Sequence, residues 1–235
     1  MSAPGWLEPL LDAVRVPEKA SLFPPPAGVL PGLRQSAVLV LFGEGPQGPD
    51  VLLIERSAHL RSHAGQPAFP GGGIDPGDDG PVGAALREAQ EETGLDPAGV
   101  DVLATLPELW VPPSGNVVTP VLAWWREPSD VMPADAREVA AVARVPLADL
   151  ADPANRLTIS HPSGRMGPAF EVADMLVWGF TAGVLDRLLA LAGWERPWDR
   201  DRVAELPAEA LRLAMRQRTY PARTAPSAPD VDTGR

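Results

Sequence analysis

The sequence predicts an α/β protein with helices packed around one sheet. Three observations carry this. Short β-rich apolar runs recur between Gly/Pro turns, two segments repeat apolar residues at helical spacing, and the two kinds alternate along the chain without an internal repeat. With 235 residues, 45% of them hydrophobic, the chain can bury one sizeable core. No long linker interrupts the middle, so one domain is expected over residues 34–215. A helix and Pro-rich lead-in precede it over residues 1–33, and a tail follows over residues 219–235.

Trp6, Leu7, Leu10, Leu11 and Val14 fall at helical spacing and predict a short amphipathic helix, whose role as dimer contact or core cover stays open. Phe23-Pro24-Pro25-Pro26 cannot continue it, because proline fixes φ and lacks a donor. Residues 37–42 and 51–54 flank the Gly/Pro-rich stretch 43–49 and read as a hairpin. Pro70-Gly71-Gly72-Gly73 marks a place where backbone rather than side chain faces something. Asp78-Asp79-Gly80-Pro81 then signals a helix start with an acidic cap, and the helix over residues 81–93 should stop at Gly94. Further strands are expected near residues 102–106, 117–125 and 139–145. Pro120 suggests a sheet edge or bulge in the second of these. Trp124 and Trp125 are adjacent on that strand, so they face opposite sides and only one is expected to meet the core. Residues 176–192 read as a second long helix, with Trp178, Leu185, Leu188 and Leu189 on or near its buried face. From Thr219 the composition favours disorder.

A net charge of −11 argues against a nucleic-acid binder, since phosphate backbones attract basic surfaces. An acidic protein acting on an anion would need cations between the two. The absence of cysteine removes disulfides, zinc thiolates and a thiol nucleophile. No basic leader with an apolar core begins the chain, and no apolar run approaches the ~20 residues that span a bilayer. A cytoplasmic address without membrane partners is expected, and a homodimer stays open.

The chemistry concentrates in Arg87-Glu88-Ala89-Gln90-Glu91-Glu92-Thr93-Gly94-Leu95. On a helix Glu88, Glu91 and Glu92 share one face, which costs a few tenths of a kcal/mol per like-charged pair unless something compensates. Hard divalent cations would, because carboxylate oxygens are the donors Mg²⁺ prefers. Arg87 lies one turn from Glu91 and can orient it. The plainer reading is a solvated acidic helix face. Against it stand the glycine turn just ahead, the sharp caps, and Ala85 and Ala89, which leave room for close packing.

Residues 72–95 resemble the Nudix box, a Gly-loop-helix signature ending in Arg-Glu-x-x-Glu-Glu-x-Gly. Gly73 would be its first glycine, and Asp79 stands where the general box carries glutamate. The stretch from Leu52 to Gly72 is similar to the extra motif of the coenzyme A pyrophosphatase branch: Arg56-Ser57, then Leu60-Arg61-Ser62-His63-Ala64-Gly65-Gln66, then Phe69-Pro70-Gly71-Gly72. That branch also places aspartate where Asp75 and Asp78 stand, and usually lysine where this chain has Gly73. The segment from Pro113 to Val121 resembles the branch's substrate-side loop and strand. Glu138-Val139-Ala140 through Leu147, and the run from Trp178 to Ala182, resemble its closing strand and last helix, so the likeness covers residues 34–191.

The resemblance implies a Nudix-type α/β/α sandwich with a mixed β-sheet and metal-dependent hydrolysis of the pyrophosphate bond of coenzyme A or a derivative. The products would be 4′-phosphopantetheine and adenosine 3′,5′-bisphosphate. It also implies Mg²⁺ or Mn²⁺ on Glu88, Glu92 and Glu91, with a backbone carbonyl near Gly72 completing a shell. Glu91, Glu138 and Arg87 are the catalytic candidates, Glu138 as a further ligand or general base and Glu108 as its weaker rival. Arg56, Arg61, His63, Gln66, Phe69 and Ser114 are the substrate-side candidates. For the arginines the alternative is ordinary surface charge, for His63 a role in ordering the Gly-Gln turn, and for Phe69 a place in the core. His161, in a Ser-His-Pro-Ser-Gly loop, is a weak candidate. Two rivals share the helix: a pyrophosphatase acting on ADP-ribose, NADH or another dinucleotide, and a non-catalytic ligand sensor. The intact glutamates and the lack of a basic appendage count against the sensor.

Overall fold

Alternating apolar residues set the central hairpin of the protein, described by a computed structural model over residues 3–22, 34–60, 63–111 and 116–215. Strands β1 (Gln35–Gly45) and β2 (Gly48–Arg56) are antiparallel with Gly45 opposite Gly48, so Pro46-Gln47 forms the whole turn. The expected seven-residue loop is thus mostly strand. Gly48 takes φ +97°, a conformation cheap only for glycine, and the chain re-enters the sheet at once. The Pro-rich lead-in and the tail from Thr219 lie outside the described residues.

The sheet grows outward from β1. Strand β7 (Asn116–Trp125) runs parallel to it from Gln35↔Val117 to Phe42↔Trp124, and β4 (Gly71–Gly73) pairs antiparallel at its start. Beyond β2 lie β3 (Pro67–Ala68) and β8 (Val139–Pro146); beyond β7 lie β5 (Val100–Thr105) and β6 (Leu109–Val111). Pro120 is therefore in a central strand, not at an edge. It is tolerated because the antiparallel partner of β7 changes there, from Thr105↔Val121 on β5 to Leu109↔Val118 on β6.

Period-two alternation splits β1 between two cores. Leu39 and Leu41 lie under helix α3 (Gly80–Thr93), against Ala84, Ala85 and Ala89. Val40 and Phe42 face the other side, where Leu10 of α1 (Glu8–Val14) and Leu185, Leu188 and Leu189 of α5 (Gly179–Leu191) cover them. This is the expected α/β/α layering around a mixed sheet. The N-terminal helix, followed by the single turn α2 (Pro17–Ala20), is core cover. Leu7 and Leu10 are fully buried, and Trp6 meets Phe42, Trp124 and Trp194 at ring distances of 5.6–6.3 Å. Because both faces are covered, Trp125 is buried beneath α3 while Trp124 packs on the opposite core, so both tryptophans are used.

A second sheet corrects the one-sheet expectation. After α4 (Leu147–Ala151), strands β9 (Arg156–Ser160), β10 (Met166–Val172), β11 (Met175–Val177) and β12 (Val203–Glu205) assemble in the order β11-β10-β9-β12. The long helix accordingly begins at Gly179, and Leu176 is a strand residue opposite Glu171. Arg156 ties this sheet to α5. It is fully buried, paired with Asp186 and Glu195, and sandwiched between the rings of Phe170 and Trp198 at 5.0 and 4.5 Å. The last helix, α6 (Ala208–Met215), returns toward the stretch after β2.

Helix α3 sits close to the sheet because alanines line its underside. Ala89→Leu should therefore lower stability by about 1–3 kcal/mol through overpacking against Leu39, Leu41 and Leu52. Chemical denaturation midpoints measure this.

Candidate active site

Close packing of α3 brings its outer turns onto the glycine ribbon β4. A Cβ at Gly72 would come within 2.3–2.6 Å of the Glu88 carboxyl group, and one at Gly71 would meet the Ala37 carbonyl at 2.3 Å. Space explains this pair of glycines: the ribbon is squeezed between β1 and the carboxylate.

Glu92 is the buried member of the cluster, only 4% exposed. Its Oε1 accepts from Arg56 Nη1 at 3.0 Å and its Oε2 from the Gly71 N–H at 2.9 Å. Burial pushes its carboxyl up to about 7, and neighbouring Glu88 adds to the rise, against the opposing pull of Gly71 and Arg56. Glu88 is half-buried and Glu91 exposed.

Arg87 ties the helix to the turn before it. Its Nε and Nη2 donate to the two oxygens of Asp78 at 2.8 and 3.0 Å, and Nη2 also reaches the Gly73 carbonyl at 3.1 Å. Its Nη1 donates to Glu88 and Glu91 at 2.9 and 3.1 Å, so the expected orientation of Glu91 is present. Asp78 and Glu88 hold the guanidinium well above its usual pKa, with the Asp78 hydrogen bonds foremost, and the same bonds lower the Asp78 carboxyl. The expected acidic cap takes another form. Asp79 occupies the N-cap without a side-chain capping bond, while Asp78 grips Arg87 and the Asp75 N–H. Asp78 is thus a site residue that the capping pattern had disguised.

Among the described residues, no three acidic or histidine side chains already converge as a metal cage. The glutamate oxygens are drawn instead onto Arg56, Arg87 and the Gly71 N–H. The donors available, carboxylates and ribbon carbonyls, are hard oxygens that suit Mg²⁺ or Mn²⁺. A buried carboxylate with a raised pKa is also one that a cation would stabilise.

The stretch after β2 is built into the same place. Arg56 exchanges backbone hydrogen bonds with Gln66 and Gly65 at 3.1 and 2.9 Å, which holds those two residues beside the end of β2. Arg56, the expected phosphate contact, pairs through Nη1 with Glu92, while its buried Nε has no partner among the described residues. His63, at φ +53°, bonds through Nδ1 to the Gln66 side chain at 3.0 Å. Burial lowers its pKa despite that bond, and the charge of Arg56 adds to the effect. Gly65, at φ +62°, receives Leu213 of α6; a Cβ there would meet Leu213 Cδ1 at 2.6 Å. Beside this contact, Ala58, His59, Glu209, Arg212 and Leu213 line a cleft of about 470 Å³.

The remaining sequence candidates scatter. Phe69 is 2% exposed and belongs to the core beneath α1 and α5, the packing alternative. Glu138 is exposed at the entry to β8, its carbonyl accepting from Ser57 N at 2.8 Å. The His161 ring bonds to Ser163 in the turn between β9 and β10. Arg61 and Ser114 lie outside the described residues. Arg34 was missed altogether: its guanidinium lies over Gly73, with Nη2 3.1 Å from where a Cβ would stand. No motif marks it, because strand pairing brings it there.

Fold, glycine ribbon and acidic helix together define a Nudix hydrolase. The NUDIX domain profile matches residues 32–165, more than half of the chain, and the protein belongs to that family. It is 44% identical to the Nudix hydrolase NudL of Cronobacter sakazakii over 172 residues, covering 70% of this chain and 85% of the relative. It is 41% identical to NudL of Escherichia coli K12 over 168 residues, covering 68% and 83%. Among solved structures, the Nudix hydrolase RenU of M. smegmatis aligns with a TM-score of 0.48 at 24% identity, covering 71% of this chain and 90% of that one. Nudix hydrolases act on small-molecule nucleotide substrates and generally use divalent metals. No described helix is long and apolar enough to cross a membrane.

Glu92 keeps its proton up to about pH 7 in the fold but loses it near 4.5 when unfolded, so the native state binds more protons in that window. In chelator-treated protein, the stability of the parent relative to Glu92→Gln should therefore fall as pH rises from 4.5 to about 7. Denaturation midpoints across the window, for both proteins, measure it.

Proposed function

We propose that the protein hydrolyses the pyrophosphate bond of coenzyme A or a close derivative to 4′-phosphopantetheine and adenosine 3′,5′-bisphosphate. The observation that carries this is the union of two motifs in one site. The stretch that resembles the coenzyme A branch is joined through Arg56 to Glu92 and through Gly65 to α6. A stretch anchored beside the acidic helix at Arg56 can select the substrate whose diphosphate that helix handles.

Glu88 and Glu92, with Glu91 beside them and a carbonyl near Gly72, are the residues that would hold Mg²⁺ or Mn²⁺. Such cations supply neutralisation of the diphosphate charge and activation of water. The chain's own residues do the rest. Asp78 and Arg87 fix the face of α3 against the ribbon, so that Glu88 stays over Gly72. Arg56 keeps Glu92 oriented and balances its charge. Glu138, exposed beside Ser57, is our candidate to take the proton from the attacking water. Arg56, Arg61, His63, Gln66 and Ser114 remain the proposed substrate-side contacts, while the burial of Phe69 favours a supporting role. The water adds across the P–O–P bridge, one phosphate keeping its oxygen and the other leaving with the bridging oxygen.

With Mg²⁺ or Mn²⁺ present, coenzyme A should yield the two named products by mass and outpace dephospho-coenzyme A, ADP-ribose and NADH. Faster turnover of ADP-ribose or NADH would transfer the activity to another dinucleotide. Glu92→Gln should reduce turnover by about 10²-fold or more while the protein stays folded; full activity in that variant would refute the metal assignment.

A further inference from the structure

Glycine at two successive ribbon positions has two different beneficiaries. Gly72 makes room for the Glu88 carboxylate. Gly73 makes room for Arg34: a Cβ there would stand 3.1 Å from Nη2, 3.5 Å from Nε and 3.7 Å from Cζ of that guanidinium. Gly73 is outside the left-handed region, so its backbone conformation does not require glycine. A Cβ there would crowd Nη2 by a few tenths of an ångström and touch Nε and Cζ at ordinary van der Waals distance, so the guanidinium lies directly against the ribbon.

Strand register holds Arg34 there. The next residues pair on both sides, Gln35 with Val117 and Ser36 with Gly73, and the Arg34 carbonyl accepts from Val117 N at 3.1 Å. The backbone is fixed while the side chain is exposed at the end of β1. Among the described residues its guanidinium has no ion pair and no hydrogen bond. That is notable in a protein of net charge −11, with Asp78, Glu88 and Glu91 clustered nearby. Those acids are gathered by Arg87, whose donors also reach the Gly73 carbonyl. Arg34 is left as a planar donor fork aimed at no internal anion, one residue along the ribbon from the glutamate of the acidic helix.

We propose that Arg34 is a substrate-contacting residue that grips non-bridging oxygens of the diphosphate. Arginine suits this role because its paired N–H groups match two phosphate oxygens and its charge does not titrate. No bond is made or broken by it. It lends positive charge on a site otherwise lined with carboxylates, supplementing whatever cations the glutamates hold. The inference rests on the diphosphate chemistry proposed above but not on coenzyme A as the particular substrate.

Three variants test it: Arg34→Gln removes the charge, Arg34→Lys keeps it without the fork, and Gly73→Ala keeps Arg34 but crowds its Nη2. Arg34→Gln should lower kcat/KM by about tenfold or more on whichever diphosphate the enzyme cleaves, with partial recovery in Arg34→Lys. Gly73→Ala should shift the flexible guanidinium and weaken turnover in the same direction. Unchanged melting temperatures in all three would show that folding is not the cause. A second readout needs no turnover: calorimetric affinity for ADP, with and without Mg²⁺, should fall about tenfold in Arg34→Gln. If that variant binds ADP and cleaves its best substrate within about twofold of the parent protein, the assignment is wrong. Failure of the parent protein to cleave coenzyme A would overturn the substrate reading alone, since ADP affinity still reports on Arg34.

Discussion

The placement of one buried carboxylate governs the rest of this structure. Glu92 sits at the end of a helix that alanines allow to lie close on the sheet, and its two oxygens are shared between Arg56 and the Gly71 N–H. A carboxylate so enclosed cannot be charged without help, which is why its pKa is driven upward. Three chain segments, the helix, the glycine ribbon and the end of β2, are therefore obliged to meet at one point. Replacing any of them with a loosely fitting alternative would leave a buried polar group alone.

Arginine supplies the compensation throughout. Arg87 draws Asp78, Glu88 and Glu91 together, and Arg56 answers Glu92. Farther off, Arg156 is buried between two acids and two aromatic rings and fastens the second sheet to α5. An acidic protein thus spends several of its cations on internal geometry. This arrangement keeps carboxylates crowded on one helix face from repelling it apart, and it lends meaning to an arginine such as Arg34 that pairs with no anion among the described residues.

Local patterning made much of this legible in the sequence. The helix from Gly80 to Thr93, its stop at Gly94 and the strands around it follow from period and turn chemistry, and Gly94 takes φ +72° as expected. The glutamates were readable because i, i+3 and i+4 spacing fixes a face. Tertiary partners were not. Asp78 looked like a cap because capping and salt bridging use the same residue type. The pairing of Arg56 with Glu92, 36 residues away, could not be read because nothing in its neighbourhood names that partner. The second sheet escaped notice because β9 to β12 are short and the parallel partner β12 comes from beyond α5. Pro120 misled because the change of partner that accommodates it lies on other strands.

The proposed activity requires the acidic helix and glycine ribbon to form a cation site for a diphosphate. The most direct measurement is anomalous diffraction from crystals soaked in Mn²⁺ with a slowly cleaved diphosphate. The account expects peaks between Glu88, Glu92 and the ribbon carbonyl near Gly72, with the diphosphate against them. Ordered diphosphate elsewhere, with no anomalous signal at that helix and the glutamates still engaged by Arg56 and Arg87, would contradict it.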